Sequence, residues 1–334
     1  MNQRGLAMIV TMVFLPVVAA GLIWLAAGSS VMARFEGHNQ ADRAAYSMSA
    51  QLASELNELS VLNRKILASH LMVGHLTTYL SFARYLKDMF QKVGYLVPFG
   101  SNIITGGTTL LVQSARIQLQ SGIGVALGSQ HKWAVDSAEI LKSGGTRVFD
   151  AARDVAKPYA LTKVCLGSIC HQNALDAAIL SAVPVIEEDP SDYTRLTMQA
   201  MNGLPQSAWH LSRQWQQNVL GIVEARRSGG TIPDITGRGF QAADQLEARV
   251  KLFFFGFGWR TLVGASATTL VDGFAYRGLP WLVEWQGPDV LPLSIELTDQ
   301  QSGQIQAESR VRFMGSGPSD MWRPVWRAEL TGGV

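Results

Sequence analysis

The chain is 334 residues long and carries 28 lysines and arginines against 26 aspartates and glutamates, so its formal net charge is +2. This small positive excess argues against a nucleic-acid-binding protein, whose basic residues are normally numerous and clustered. Charged residues make up 16% of the chain and hydrophobic residues 47%. This composition excludes a largely disordered chain, which would be poor in apolar residues and highly charged. A chain of this length and composition can also form a large hydrophobic core.

An apolar stretch near the N-terminus is the strongest physical signal. No Asp, Glu, Lys or Arg lies between Arg4 and Arg34, and Leu6–Ala27 is almost wholly apolar. About 20 such residues let a helix cross roughly 30 Å of hydrocarbon, so the stretch predicts one transmembrane helix, kinked at Pro16. Trp24 is typical of an interfacial anchor. The predicted anchor residues are Leu6, Phe14, Pro16, Leu22 and Trp24.

A cleaved secretory signal is the alternative interpretation of this stretch. The apolar core of such a signal usually spans about 7–15 residues, and this one is longer, which favours a retained anchor. Arg4 favours a cytoplasmic N-terminus under the positive-inside rule, so the region that follows is expected to be exported. Leu252–Val271 is also apolar but carries Arg260 near its middle, and is therefore predicted to be core strand rather than a second span.

Two long helical segments are predicted after the anchor. Between Val31 and Lys92 there is no proline, and apolar residues recur at steps of three and four, which describes one helical stripe. This stripe must pack against the chain itself or a partner, and its representative residues are Leu52, Leu56, Leu59, Leu62 and Ile66. After a break at Gly94–Gly107, a second helix is predicted over about Thr108–Val155, divided by its glycines and folded back on the first as a hairpin.

The rest of the chain is predicted to change from helix to strand. Residues 158–248 are expected to mix helix and loop, with one short helix around Asn173–Val183 and another from about Pro205 to Arg227, ahead of Gly229–Gly230. From about residue 249 short β-like runs follow, and Gln304–Phe313 alternates like a half-buried strand.

The predicted fold class is therefore α+β: a transmembrane helix continuing into a long amphipathic helix, a helical hairpin region, and a C-terminal antiparallel β-rich region. The expected domain boundaries are 1–33 for the cytoplasmic tip and anchor, 34–157 for the helical stalk, 158–248 for the mixed region and 249–334 for the β-rich part.

The search for chemistry finds one candidate bond and no catalytic set. Cys165 and Cys170 form a disulfide loop if the region is exported. Six histidines are scattered, and no HExxH, Walker or GxSxG motif occurs, so no enzyme activity, metal or cofactor is predicted. The glycines of Gly122–Gly128 lack the spacing of a dinucleotide loop and are interpreted as helix contacts or breaks. Tryptophans 281, 285, 322 and 326 are interpreted as sheet core, with a partner-binding patch as the alternative.

The N-terminal part of the chain has an arginine–glycine head (Arg4–Gly5), an apolar helix and then Asn39–Ala53 (NQADRAAYSMSAQLA). Two further segments run from Leu62–Asn63–Arg64 through Tyr79–Tyr85, and over Asp320–Ala328. Together these segments cover about a third of the chain, and they resemble the TadE/TadG-like family of tight-adherence pilus-assembly proteins. One departure is that cleavage after Gly5 would place Val10 where type IV pilins carry a glutamate.

The resemblance implies a non-enzymatic, single-pass component of a pilus or secretion apparatus in the bacterial inner membrane, either a minor pilin-like subunit or a fixed assembly factor. Its expected partners are membrane lipid, other subunits of that apparatus and possible further copies of itself, with no nucleic acid. The C-terminal region would be periplasmic or extracellular. The alternative function is a membrane-tethered periplasmic sensor or ligand-binding module, favoured by an apolar pocket lined with Trp281 and Trp285.

Overall fold

The structure is a computed structural model of the whole chain, which describes most of two helices and the strands that follow them. The described residues are 3–94, 101–157, 159–170, 185–186, 215–219, 222–233, 239–252, 255–256, 258–269, 276, 278–280, 282–299 and 303–331. The predicted helix at Asn173–Val183 and the residue Trp281 lie outside them.

Two helices occupy the N-terminal half of the chain: α1 runs over Gln3–Gly94 and α2 over Ser101–Ala156. The 92 residues of α1 continue through Pro16 and correspond to about 140 Å of helix at 1.5 Å per residue. The prediction that glycines divide the second helix is wrong, because α2 is continuous. A β-carbon on Gly122 would overlap the Leu76 side chain, so this glycine allows α1 to approach closely.

The strands after the helices pair antiparallel throughout the described residues. In chain order they are β1 Ala160–Leu166, β2 Val185–Ile186, β3 Trp215–Val219, β4 Val223–Pro233, β5 Phe240–Leu252, β6 Phe255–Gly256, β7 Arg260–Thr268, β8 Leu282–Val283, β9 Val290–Asp299, β10 Gly303–Phe313 and β11 Trp326–Leu330. The chain is thus α+β, with a long apolar N-terminal helix, a second helix and then antiparallel sheets.

The first of two compact units comprises Met1–Ser60, Ala138–Pro184 and Glu284–Val334. Its part of α1 runs antiparallel to its part of α2, as Ser47 Oγ donates to the Ala151 carbonyl at 3.2 Å and Gln40 Nε2 donates to the Lys157 carbonyl at 3.1 Å. Its sheet has the order β1-β9-β10-β11. The sheet reaches α1 directly, because Ser309 Oγ on β10 donates to the Ala45 carbonyl at 2.7 Å.

The second unit comprises Val61–Ser137 and Val185–Val283. Its sheet has the order β3-β4-β5-β6, with β7 paired to β5. Side chains from α1, α2 and this sheet form a buried cluster of Leu71, Val73, Leu80, Ala83, Ala115, Leu119, Ile123, Ala126, Phe240, Ala267 and Tyr276. Both units are built from segments distant in sequence, which cross the domain boundaries expected from the sequence.

The helix predicted from Pro205 to Arg227 is wrong wherever the structure describes that stretch. Trp215–Val219 and Val223–Pro233 are instead the paired strands β3 and β4, and Gly229–Gly230, which were expected to end the helix, lie inside β4. Helix start and stop signals are local, whereas β4 forms eleven cross-strand pairs with β5, from Val223↔Val250 to Pro233↔Phe240. Tertiary pairing therefore overrides the local signal.

The β-like runs predicted near the C-terminus correspond to real strands. In β10 the inward residues from Ile305 to Phe313 are buried in alternation with more exposed neighbours, so the half-buried strand prediction is confirmed. The strands β1 and β11 were not predicted, since Ala160–Leu166 and Trp326–Leu330 lack a clean alternation.

Candidate functional site

The N-terminal part of α1 presents an apolar surface. Among the predicted anchor residues, Phe14 is 65% exposed, Leu22 61% and Trp24 82%, and Pro16 lies within the helix; the Leu6 side chain lies outside the described ones. The most apolar stretch of this helix has no residue buried by the rest of the chain. The helix is therefore long and apolar enough to span a membrane, and its apolar side chains are not covered as they would be in a soluble core.

Two serine hydroxyls at the end of this apolar part are satisfied by the helix itself. Ser29 Oγ donates to the Ala26 carbonyl at 2.9 Å, and Ser30 Oγ donates to the Ala27 carbonyl at 2.8 Å. Hydroxyls bonded in this way do not require water. The segment is thus compatible with a hydrocarbon environment over its described length.

Burial of α1 begins abruptly at Gly37. A β-carbon there would overlap the Ile305 side chain of β10, and Ala41, Ala44 and Met48 are fully buried. The change falls a few residues after the apolar part ends, within one uninterrupted helix. The helix therefore joins an exposed apolar segment directly to a folded body.

The predicted stripe lies in the interior of the chain. Leu52 and Leu56 are 1% exposed, Leu59 and Ile66 are fully buried, and Leu62 is 3% exposed. The first three belong to the first unit, and Leu62 and Ile66 belong to the second. This stripe packs on the chain itself, so it does not offer a free surface to a partner.

Two asparagines between the stripe positions, the half-buried Asn57 and the buried Asn63, hold α1 to the two units, a feature that the sequence interpretation missed. In the first unit Asn57 donates to the Trp326 carbonyl at 3.0 Å and accepts from its N–H at 2.9 Å. In the second unit Asn63 makes the same two bonds to Val283, at 2.6 and 3.0 Å. Each amide thus takes the place of a neighbouring strand in satisfying buried backbone groups.

An ion pair joins the two helices of the first unit. Arg147 on α2 donates through Nε and Nη2 to the two carboxylate oxygens of Glu55, both at 2.6 Å. The hydrogen bond to Glu55 raises the pKa of the arginine. The Glu55 side chain is only 6% exposed, so this two-pronged geometry compensates the desolvation of the carboxylate.

The structure joins Cys165 and Cys170 in a disulfide. The bond closes a tight loop after β1, in which Gly167 adopts a φ of 59° and its N–H donates to the Pro292 carbonyl at 2.8 Å. A left-handed φ is accessible to glycine at little cost. Beside this loop, the outer face of the sheet holds a shallow polar cavity of about 190 Å³. Its lining includes Lys163, Glu296, Gln306 and Glu308.

A buried ion pair within the sheet of the second unit is also in contact with α1. Asp244 on β5 has a fully buried carboxylate, which accepts from Arg227 Nη2 at 2.9 Å and from Ser81 Oγ at 2.8 Å. The guanidinium carbon of Arg227 lies 4.9 Å from the ring centre of Phe82 and 4.8 Å from that of Tyr85. The arginine is therefore held between aromatic faces and a carboxylate, and burial raises the pKa of Tyr85.

The opposite face of the same sheet carries two further ion pairs, which are partly buried. Cross-strand pairs link Arg226 to Glu247 at 2.6 Å and Arg249 to Glu224 at 2.5 Å. Both guanidinium carbons lie over the ring of Trp259, at 4.2 and 4.7 Å from its centre. These contacts satisfy the charges of the face locally.

A buried polar trio occupies the core of the second unit. Gln130 Nε2 donates to the Tyr276 hydroxyl at 3.1 Å, and that hydroxyl hydrogen-bonds His70 Nδ1. The other ring nitrogen of His70, Nε2, has no hydrogen-bond partner among the described residues. The His70 ring is fully buried and lies 4.7 Å from the Phe240 ring. Burial lowers the pKa of His70 to about 3 and raises that of Tyr276.

Acidification is expected to destabilise the second unit through His70. Because its pKa is about 3 when folded and about 6.5 when unfolded, the unfolded chain binds the extra proton. The neutral His70 side chain therefore contributes to stability above pH 6.5, and this contribution is lost as the pH falls toward 3. Between pH 7 and pH 5 the loss is about 2 kcal/mol. Denaturant unfolding at the two pH values measures this difference in the free energy of unfolding. We expect His70→Gln to abolish the difference. His38→Gln, at an exposed position, is the control and should retain it.

The C-terminal tryptophans pack within the first unit. Trp285 is 8% exposed and Trp326 2%, and their rings meet edge to face with centres 4.7 Å apart. Phe313 adds a second edge contact to Trp326 at 5.1 Å, while Trp322 is partly exposed. Trp285 thus belongs to the core and does not line the described cavity.

Comparison with known proteins yields no relatives for this chain. No family model, no curated protein and no solved structure matches it. Within the residues that the structure describes, no group of three or more His, Cys, Asp or Glu side chains is placed to hold a metal ion.

Proposed function

We propose that this chain is a single-pass protein of the bacterial inner membrane that acts, without catalysis, as a component of a tight-adherence pilus or related secretion apparatus. The N-terminus is cytoplasmic, the folded units lie on the other side of the membrane, and the chain works through protein–protein contacts. The segments that resemble TadE/TadG-like proteins support this assignment.

One observation carries the proposal: α1 runs without interruption from an exposed apolar segment into a buried core. Phe14 and Trp24 present apolar surface at one end of the helix, where about 20 residues suffice to cross the hydrocarbon. Within the same helix, Gly37 and Ala41 already contact the folded body or are buried in it. A protein that must hold an extracytoplasmic body at a membrane needs such a rigid connection.

Fractionation of cells that express a C-terminally tagged copy tests the proposal. We expect the tag in the inner-membrane fraction, accessible to protease from the periplasmic side. Recovery with sheared surface filaments identifies a minor pilin-like subunit, whereas retention in the membrane identifies a fixed assembly factor. A soluble periplasmic protein would contradict the anchor.

A variant pair sharpens the test. Leu15→Arg combined with Val18→Arg adds about 2.5–3.5 kcal/mol of insertion cost per arginine near the middle of the span, so we expect loss of the protein from the membrane fraction. Met72→Arg lies at an exposed position of the folded body and serves as the matched control. Equal membrane recovery of the two variants would argue that the segment is not the anchor.

The second candidate function, a tethered ligand-binding module, is favoured by the polar cavity beside the disulfide. Lys163 faces Glu296 across β1 and β9, and Glu308 adds a second carboxylate, so the cavity suits a small polar or charged ligand. A thermal-shift screen of such compounds against wild type and Lys163→Ala distinguishes this candidate. A stabilising compound whose effect disappears in the variant would favour it.

A further inference from the structure

Strand β7 lies at an edge of the sheet in the second unit. Among the described strands its one partner is β5, which pairs on its other side with β4. Alternate residues of a strand direct their N–H and C=O groups to the same side, so every second residue of β7 has backbone groups that face away from β5. An edge of this kind is a template on which another chain can add a strand.

Two cations of α1 bind carbonyl groups of this edge. Arg84 Nη1 donates to the Ser266 carbonyl at 2.8 Å, and Lys92 Nζ donates to the Leu262 carbonyl at 2.5 Å. Both segments belong to the second unit, so these contacts are made within one compact body. The helix therefore covers the edge of β7 with charged side chains.

An anion lies between the two cations in the sequence of α1 and binds an N–H of the same edge. Asp88 Oδ2 accepts from the Gly264 backbone N–H at 3.3 Å and pairs with Lys92 Nζ at 3.1 Å. Each charge thus has the sign that suits the backbone group it meets, because the cations bind carbonyl oxygens and the carboxylate binds an N–H. We call these three side chains the edge ladder: Arg84, Asp88 and Lys92.

The spacing of the edge ladder matches the spacing of the edge. Four residues of helix rise about 6 Å, and two residues of strand advance about 6.6 Å. Side chains at steps of four on α1 can therefore meet backbone groups at steps of two on β7, and they do so over two successive steps. The ladder thus occupies three consecutive outward-facing residues of β7, where a neighbouring strand would otherwise bind.

The sequence of β7 makes an uncovered edge prone to association. Residues 261–268 contain no Asp, Glu, Lys, Arg or Pro, and Leu262 is 48% exposed. Uncharged strand-forming segments without proline readily pair with one another, and charged side chains at an edge prevent such pairing. Here α1 supplies the charges that this part of β7 lacks.

We propose that the edge ladder closes β7 to strand addition, and that without the ladder a second copy of this chain pairs with this edge through its own β7. A second β7 offers N–H and C=O groups at the same repeat, and its residues 261–268 bring no charged side chain into the contact. The proposal does not rest on the proposed membrane anchoring, because every contact that carries it lies within the second unit.

Sedimentation of the full chain in detergent, at increasing protein concentration, tests the proposal. The ladder-free variant replaces the three ladder residues with alanine: Arg84→Ala, Asp88→Ala and Lys92→Ala. The control variant removes the same net charge from three exposed positions of the same helix: Glu58→Ala, Arg64→Ala and Lys65→Ala. We expect the ladder-free variant to self-associate at a concentration at least tenfold lower than wild type, and the control variant to behave as wild type.

Cysteine cross-linking identifies the strand that makes the contact. A β-carbon at Gly264 would meet only the Thr261 side chain, at 3.7 Å, so Gly264→Cys fits the fold, and the native cysteines are already paired. Copper–phenanthroline oxidises two thiols to one disulfide, and we expect it to link Gly264→Cys chains at least fivefold more when the ladder is absent. Met72→Cys, at an exposed position of α1, is the control and should not show this increase.

Two changes in β7 distinguish edge pairing from general unfolding. Gly264→Pro removes the outward N–H, and Leu262→Lys places a charge at the edge. Added singly to the ladder-free variant, each is expected to restore the sedimentation of wild type. The proposal is overturned if the ladder-free variant sediments as wild type, if the control variant associates equally, or if neither change in β7 reduces the association. Equal cross-linking of Gly264→Cys with and without the ladder would also overturn it.

Discussion

Replacing Leu59 with aspartate is expected to unfold the first unit. The side chain is fully buried on the inward face of α1, so the substitution removes apolar contacts and places a carboxylate where it has no partner. Loss of a buried leucine costs about 2–5 kcal/mol, and an unpaired buried charge adds to it. We expect a destabilisation of at least 4 kcal/mol, measured by denaturant unfolding with tryptophan fluorescence, because Trp285 and Trp326 are buried in the same unit.

The matched control is Met72→Asp, which introduces the same charge on the same helix at a position that is 44% exposed. We expect a change of less than about 1 kcal/mol for it, as is usual for surface substitutions. Equal effects of the two variants would show that the stripe is not the packing face of α1.

Truncation of Asp244 to alanine is expected to be the most damaging change in the second unit. It leaves the guanidinium of Arg227, which is only 17% exposed, without its carboxylate, and it removes the acceptor of the Ser81 hydroxyl. Breaking a buried ion pair in this way costs about 3–5 kcal/mol. Denaturant unfolding of the single variant measures this loss.

A double variant distinguishes the cost of the unpaired Arg227 charge from the cost of lost packing. Asp244→Ala combined with Arg227→Met removes both charges, and we expect it to recover at least half of the lost stability, because no unpaired ion remains. Glu247→Ala is the control on the opposite face of β5, where the ion pair is less buried because its partner Arg226 is 41% exposed, and we expect it to cost less than Asp244→Ala. A double variant no more stable than Asp244→Ala would show that the unpaired charge does not cause the loss of stability.

The sequence by itself determined the features whose physics is local and repetitive. The apolar segment that contains Leu22 needs only composition and length to be predicted as a possible span. The stripe from Leu52 to Ile66 needs only a 3.6-residue period, and β10 needs only a period of two. These patterns recur over many residues, so they survive the errors of any single position.

Only the tertiary structure decided what depends on partners distant in the chain. The stretch before Arg227 carries local helix signals yet forms strands, because β4 pairs along its whole length with β5. The sequence gives no sign of the roles of Asn57 and Asn63, each of which satisfies the backbone of a strand more than 200 residues away. Likewise, the sequence does not distinguish Gly122 from Gly124. Only the structure shows that a β-carbon on Gly122 would overlap the Leu76 side chain, whereas one on Gly124 would meet nothing within 4 Å.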